Sequence, residues 1–380
     1  MKTRQNESGF GHAIVLLVIV MVGAVVVLAG TKVMAAKPLD NFQGHAPIHV
    51  KRFSASGPVG LDPATIKSIY KLSGSGSGTI AIVDAFDYPT ALSDLNTFSS
   101  QYGLPQCTTS NPCFEKHLMA HRIKSDGGWA LEMALDTQWA HAIAPNAKVL
   151  LVESKSASGT DLLNAVNYAR SRSDVVAVSM SWGGSEFSSE ANSDSSFTST
   201  TGATFFASSG DNGTGVSWPA VSPNVIAVGG TTLNLSSTNS LVSETAWSGS
   251  GGGISSYESS PAYQSTYGVV SNNKRAIPDV SYDADPNSGV SVYDSTLYSG
   301  QKGWYQVGGT SAGAPQWAAI KALGNSVSNP RLYQDAKLTT SSSFLRDILT
   351  GTNGTCGDTC TAKTGYDTVT GLGSPVTTIY

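Results

Sequence analysis

The sequence predicts an α/β fold in which a parallel β-sheet is sandwiched between helices. Three observations predict it. Short β-branched runs recur: "TIAIVDAF" (79–86), "AKVLLVES" (147–154), "VVAVSMSWG" (175–183), "ATFFASSGD" (203–211) and "VIAVGGT" (225–231). Apolar runs without polar alternation are the mark of strands buried on both faces. Helix patterns stand between them, "TALSDLNTFSSQYG" after the first and "GTDLLNAVNYARS" after the second. Strands alternating with helices build parallel sheets. The runs also end in polar residues, namely Asp84 and Asp87, Ser181 with Trp182, and Asp211. Those are the carboxyl ends of strands, where such sheets gather their chemistry.

The chain has 380 residues, enough for a large core, and only 13% are charged. Its 23 basic residues are scattered and the net charge is −4. That excludes a nucleic-acid footprint, which needs clustered Lys and Arg. A charge-poor surface suits an exported protein that meets acid, because it gains little net charge there.

Lys2 and Arg4 precede the apolar run "AIVLLVIVMVGAVVVLAG" (13–30). Residues 1–36 are therefore expected to be a membrane or signal segment, with the rest of the chain outside the cytoplasm. "VMA" (33–35) offers small residues for cleavage, so secretion and a single N-terminal anchor are both open. Residues 37–57 are polar and are expected to be a linker. Residues 58–380 are expected to form one domain, and a monomer.

Four cysteines form two close pairs, Cys107 with Cys113 and Cys356 with Cys360. Outside the cytoplasm such pairs are disulfides. A four-cysteine metal site is the competing reading, and these spacings suit zinc poorly. Residues 234–275, rich in Ser and Gly, read as loops and edge strands.

Two stretches carry chemistry. "GGWALEMALDTQWAHAIAP" (127–145) reads as a helix. On a wheel of 100° per residue, Asp136, Ile143, Trp139, Trp129 and Leu135 fall within about 60° of Glu132. Thr137, Gln138 and His141 fall on the far side. Two carboxylates one turn apart thus sit inside an apolar stripe that holds no cation. In "VGGTSAGAPQWAAIKAL" (307–323) a strand gives way to a glycine turn and then a helix, with Ser311 at the helix start. A helix N-terminus favours negative charge, so Ser311 is a candidate nucleophile with an oxyanion seat beside it. Taken alone, an ordinary helix cap fits Ser311 better.

"GTSAGAP" resembles the nucleophile motif of the subtilisin clan. The remaining motifs, "IAIVDAFDYP", "LEMALDTQWAHAIAP", "SMSWGG", "ASSGDNG", "WSGSGGGISSYE", "PDVSYDADP" and "GYDTVTGLGSP", resemble the sedolisin family of serine-carboxyl peptidases in family order. The resemblance implies a subtilisin-like sheet in a single catalytic domain, and an endopeptidase acting on polypeptides in acid. It assigns Glu132 as the base for Ser311, Asp136 as its support, and Asp211 as the acid facing the oxyanion. It makes Asp84 and Trp182 supporting candidates around that network. Elementary chemistry agrees: imidazole, with a free pKa of about 6.5, is charged in acid, whereas a glutamate of about 4.3 still accepts a proton. "MSWGG" (180–184) and "SGSGGGI" (248–254) are expected to offer backbone to an extended substrate.

The C-terminal stretch resembles the family's calcium loop and implies one Ca²⁺. The ligands would be the Asp347 and Asp367 side chains with the carbonyls of Ile348, Lys363 and Gly365. Relatives often have Gly where Lys363 stands. The family's large N-terminal propeptide has no counterpart between the apolar run and the domain, where only residues 37–57 stand. Two other functions were weighed. A subtilisin-type Ser-His-Asp enzyme needs a histidine at a helix start, and His117, His121 and His141 lack that context. A non-catalytic surface-binding protein need not keep Ser311, Glu132, Asp136 and Asp211 together.

Overall fold

A computed structural model describes residues 38–338 and 344–376. The apolar run of residues 13–30 lies outside the described residues. Among the described residues no helix is long and apolar enough to cross a membrane.

Thirteen strands longer than two residues are labelled here in chain order. They are β1 His49–Ser54, β2 Thr79–Ala85, β3 Phe114–Leu118, β4 Lys148–Ser154, β5 Val175–Met180, β6 Thr204–Ser208 and β7 Val225–Leu235. Then come β8 Leu241–Ala246, β9 Gly253–Ser259, β10 Lys274–Ile277, β11 Val280–Asp283, β12 Val290–Tyr298 and β13 Gln301–Gly308. The α-helices of six residues or more are α1 Pro63–Ile69, α2 Ala91–Tyr102, α3 Gly127–Ile143, α4 Gly159–Ser171, α5 Ala262–Tyr267, α6 Gly313–Ala322 and α7 Asn329–Leu338.

The main sheet runs β8-β7-β6-β5-β2-β4-β3, and β11 also pairs with β7. All its pairings are parallel except β8 on β7. Every residue of β2 is buried, as a central parallel strand requires. Helices α3 and α6 pack on each other and on the sheet, and α4 covers β2, β4 and β5. The five apolar runs and both intervening helices stand where the sequence places them. Strand β3, the Phe114–Leu118 edge, has no such signal: its five residues are half-buried or exposed, and it is held by register on β4. Within 234–275 the structure holds β8, β9 and the short helix α5.

A second, antiparallel sheet has the order β1-β13-β12. It explains residues 38–57, which are built into the domain instead of running free. Strand β1 pairs with β13, His49 opposite Gly308 and Val50 opposite Val307. That pairing occupies an edge that would otherwise stand open. Just upstream, Phe42 is buried and His45 bonds to Gly183.

Helix α3 starts at a side-chain cap: Asp126 accepts from the backbone N–H groups of Gly128 and Trp129, each at 3.0 Å. From Trp129 to Ile143 all its residues are buried, so there is no solvent face. The far side of the wheel is polar but satisfied. Thr137 donates to the Met133 carbonyl at 2.7 Å. Gln138 exchanges two bonds with the Tyr293 backbone, and His141 Nε2 bonds the Pro105 carbonyl at 2.7 Å.

Candidate active site

Ser311 follows β13 directly. Gly309 turns the chain at φ 118°, a single 3₁₀ turn holds Thr310–Ala312, and α6 begins at Gly313. Glycine is required at 309: an added Cβ would stand 2.2 Å from the Pro47 carbonyl oxygen and 2.6 Å from Asp211 Oδ2. The Ser311 side chain caps nothing, and its hydroxyl has no hydrogen-bond partner among the described residues. The plain-cap reading therefore lapses. Ser311 is fully buried.

Glu132, Asp136 and Asp84 are also fully buried, and none of their six carboxyl oxygens has a hydrogen-bond partner among the described residues. The pKa values tie the residues together. Burial pushes the Glu132 carboxyl well above the usual range, and the charge of Asp84 pushes the same way. The Ser311 hydroxyl is near enough to favour the charged form, although the two share no well-formed hydrogen bond. Burial, Asp84 and Glu132 raise Asp136 well above its range, while the Ser181 hydroxyl opposes them. Burial and then Glu153 raise Asp84. Each of these acids is raised by the charge of a neighbouring acid, so their ionisations are linked.

Asp211 closes the other side of Ser311. Its Oδ1 accepts from the Thr310 N–H at 2.8 Å and the Thr310 hydroxyl at 2.7 Å. Its Oδ2 stands 3.1 Å from His49 Nε2. Burial raises the Asp211 pKa, while His49 and Thr310 pull it back. The structure thus brings Ser311, Thr310 and Asp211 together on one side, and Ser311 with the carboxyls of α3 and β2 on the other.

Trp182 is fully buried. Its indole N–H donates to the Val83 carbonyl at 2.8 Å, one residue before Asp84, and its ring packs 5.9 Å from Trp218. It fixes the end of β2. Gly249, Gly251 and Gly252 of the 248–254 stretch bond with residues 210–215, so much of that backbone is engaged within the protein. A cleft of about 760 Å³ runs beside the site, between residues 41–49 and residues 183–187 and 209–217. Asp211 is part of its lining, and Ser311, Glu132, Asp136 and Asp84 are not.

Sequence reasoning passed over two groups. Glu153, at the end of β4, accepts from the Tyr88 N–H at 3.0 Å and from Lys116 Nζ at 3.0 Å, and burial pushes its pKa to about 7. Its signal was available, an acid ending a buried strand as Asp84 does. Lys116 also bonds Asp87 at 2.5 Å and comes from the unforeseen β3. His49 was hidden in the supposed linker. The histidines of the Ser-His-Asp alternative are committed elsewhere: His141 to Pro105, and His117 stacked on Tyr168 at 3.7 Å, while His121 is exposed.

Both cysteine pairs are joined, Cys107 to Cys113 between α2 and β3, and Cys356 to Cys360 in the C-terminal loop. The loop expected to hold calcium is folded about its two acids. Asp347 accepts from the Gly365 N–H at 2.8 Å, and Asp367 from the N–H groups of Lys363, Val369 and Thr370. The carbonyls of Ile348, Lys363 and Gly365 accept no hydrogen bond among the described residues. Two carboxylates with three free carbonyls are a donor set of the kind a hard cation takes.

Residues 127–373 match the model of the subtilase family. Sedolisin from Pseudomonas sp. (strain 101) is 30% identical over 85% of this chain and 61% of its own length. Kumamolisin from Bacillus sp. (strain MN-32) is 34% identical over 64% of this chain and 49% of its own. The chain thus spans about half to three fifths of the curated relatives it matches. A solved structure of Pseudomonas sedolisin, a serine-carboxyl proteinase complexed with two molecules of pseudo-iodotyrostatin, superposes with a TM-score of 0.70 at 31% identity. It covers 84% of this chain and 96% of that one. Fold, motif order and this likeness converge: the chain belongs to the sedolisin family of serine-carboxyl peptidases.

Proposed function

We propose that this chain hydrolyses polypeptides in acid as an exported serine-carboxyl endopeptidase. Ser311 Oγ attacks the peptide carbonyl, Glu132 takes the hydroxyl proton, and the same proton passes to the departing amine. Water then attacks the acyl–Ser311 ester, Glu132 takes the water proton and passes it to Ser311 Oγ as the C–O bond breaks, and the free acid leaves. Asp136, one turn along α3, orients Glu132, and Asp84 sets the charge of the pair. Asp211 donates to the oxyanion while it is protonated. Trp182 holds the end of β2, from which Asp84 projects.

One observation carries this reading: three fully buried carboxyls, with no cation and no well-formed hydrogen bond among the described residues, gather beside a fully buried serine. Such groups destabilise the fold as charges, so a structural role alone does not account for them. One Ca²⁺ held by Asp347, Asp367 and the carbonyls of Ile348, Lys363 and Gly365 would stiffen the C-terminal loop. The test is a pH–rate profile on a peptide substrate for the native chain and for Glu132→Gln. An optimum below neutrality that vanishes in the variant supports the reading. An optimum above neutrality, or full turnover by the variant, overturns it.

A further inference from the structure

The loop that carries Asp211 has little to hold it from within. It runs Gly210-Asp211-Asn212-Gly213-Thr214-Gly215, and its glycines stand at φ 110°, 72° and 131°. Glycine leaves the backbone freest, so the conformation has to be imposed from outside. The 249–252 stretch grips one flank. There the Gly213 N–H donates to the Gly249 carbonyl at 2.9 Å, the Gly215 N–H to the Gly252 carbonyl at 2.8 Å, and the Gly251 N–H to the Gly210 carbonyl at 2.7 Å. Asn353 grips the other flank, its carbonyl accepting from the Thr214 N–H at 2.9 Å. Glycine is required at 213, since a Cβ there would stand 2.5 Å from that carbonyl oxygen.

Asn353 also ties the two grips together. Its side-chain Nδ2 donates to the Ser250 carbonyl at 2.8 Å, and the residue is buried. Ser250 is fully buried and is fixed in turn: its hydroxyl accepts from the Gly230 N–H and donates to the Val369 carbonyl, each at 2.8 Å. Asn353 itself sits in a small hairpin. Its N–H donates to the Cys360 carbonyl at 3.0 Å, the Ala362 N–H donates to the Gly351 carbonyl at 3.0 Å, and the Cys356–Cys360 disulfide closes the turn. The Thr214 hydroxyl lies 3.2 Å from Cys360 Sγ and 3.4 Å from Cys356 Sγ, so the disulfide abuts the Asp211 loop. Thr310 completes the path to the reacting groups, since its hydroxyl accepts from the Gly210 N–H at 3.1 Å and donates to Asp211.

We propose that Asn353 is a positioning residue: seated in the hairpin that Cys356–Cys360 closes, it clamps residues 210–215 and so sets the Asp211 carboxyl against Thr310 and Ser311. The purpose of the clamp rests on the oxyanion role proposed for Asp211, and its geometry does not. Asn353 is not part of the cleft lining, whereas residues 209–217 are, so it acts on the reaction through the loop it holds. Its amide reaches between two segments about a hundred residues away in the chain, and a buried polar bridge of this kind is expensive to leave half satisfied. Cutting it frees the loop on one flank. A donor displaced by about 1 Å from its working position loses rate by as much as about 10²-fold.

The test compares Asn353→Ala with the native chain, both with Asp211 in place and with Asp211→Ala. The double variant Cys356→Ser, Cys360→Ser is run alongside and serves if Asn353→Ala fails to fold. Amide hydrogen exchange, read by mass spectrometry on peptides spanning residues 209–216, reports the clamp without any turnover. Exchange there should quicken by at least about tenfold in either variant, while peptides from β2 and β4 keep native rates. With Asp211 in place, kcat on a peptide substrate should fall by about tenfold or more. With Asp211→Ala, the same substitutions should change kcat by less than about twofold, because no oxyanion acid is left to misplace. Unchanged exchange overturns the clamp. An equal loss of kcat in both backgrounds overturns the positioning of Asp211 and leaves Asn353 a structural residue. If the native chain cuts no peptide, the catalytic reading falls on that result, and exchange alone decides the clamp.

Discussion

Asp84 and Glu153 stand opposite each other on the adjacent parallel strands β2 and β4, and both side chains are fully buried. The register sets two acids side by side at the edge of the site. Glu153 has the Tyr88 N–H and Lys116 to support its charge, and Asp84 has no hydrogen-bond partner among the described residues. Of this pair Glu153 gives up its proton first, and Asp84, beside Glu132 and Asp136, ionises only together with that buried cluster.

Replacing Asp84 tests that order. After burial, the charge of Asp84 is the next cause that raises Glu132 and Asp136. In Asp84→Asn that charge is gone, so both acids ionise at lower pH. Glu132 must be ionised to accept the Ser311 proton. The acid limb of the kcat/KM profile should therefore move down by about one unit. An unmoved limb would remove Asp84 from the network.

Glu132→Gln should cost a factor of about 10² to 10⁴ in kcat, the usual worth of a positioned base. The fold should survive, because the variant replaces a buried carboxyl without a partner by a neutral amide. Its melting temperature at pH 7 should equal or exceed that of the native chain. A lowered melting temperature would mean that Glu132 is structural.

Much of this site was legible because its parts lie on elements with local signals. Glu132 and Asp136 announce themselves by spacing on one helix, Asp84 and Asp211 by ending apolar runs, and Ser311 by its glycine turn. What stayed hidden depends on pairing across long separations. Strand β3 brings Lys116 to Glu153, and β1 brings His49 to Asp211, through register on strands far along the chain. The wheel located the carboxyls, but its polar far side is also buried, because Thr137, Gln138 and His141 find backbone partners. A polar face on a helix wheel does not by itself imply solvent.

Stability should be greatest in acid. Burial raises Glu132, Asp136, Asp84 and Asp211 above their ordinary range, and takes Glu190 to about 9 and Glu258 to about 7. A carboxyl raised on folding binds its proton more tightly in the folded chain. Its support for folding is complete below the unfolded value of about 4 and is lost as pH rises toward the raised value. The melting temperature should fall between about pH 4 and pH 8. Glu190→Gln, outside the active site, should flatten that fall. A melting temperature that climbs over this range would contradict the assignment.

Calcium should matter more near neutrality than in acid. Burial holds Asp367 at about 6 and also raises Asp347, so both lose charge as the medium acidifies. A chelator should lower the melting temperature at pH 7 by several degrees, and less at pH 4, since stabilisation by a ligand follows its affinity for the folded chain. Asp347→Asn should mimic the chelator and make its addition harmless. An equal chelator effect in native and variant proteins would place any ion elsewhere.

Asp211→Asn separates donor chemistry from acid chemistry at the oxyanion. Asp211 donates only while protonated, so oxyanion support is lost as pH rises through its burial-raised value. An asparagine keeps an oxygen for the Thr310 N–H and hydroxyl, now accepted by Asp211 Oδ1. It also offers an N–H that never titrates. The variant should be slower in acid by up to about tenfold, because an amide is a weaker donor than a carboxylic acid. Its basic limb should move up by at least about one unit, leaving measurable turnover near neutrality where the native chain has lost it. The shift should appear in kcat as well as kcat/KM, because the donor acts on the bound, reacting carbonyl. If the basic limb stays where it is, the group that ends activity at high pH is another member of the buried cluster, and Asp211 has no part in holding the oxyanion.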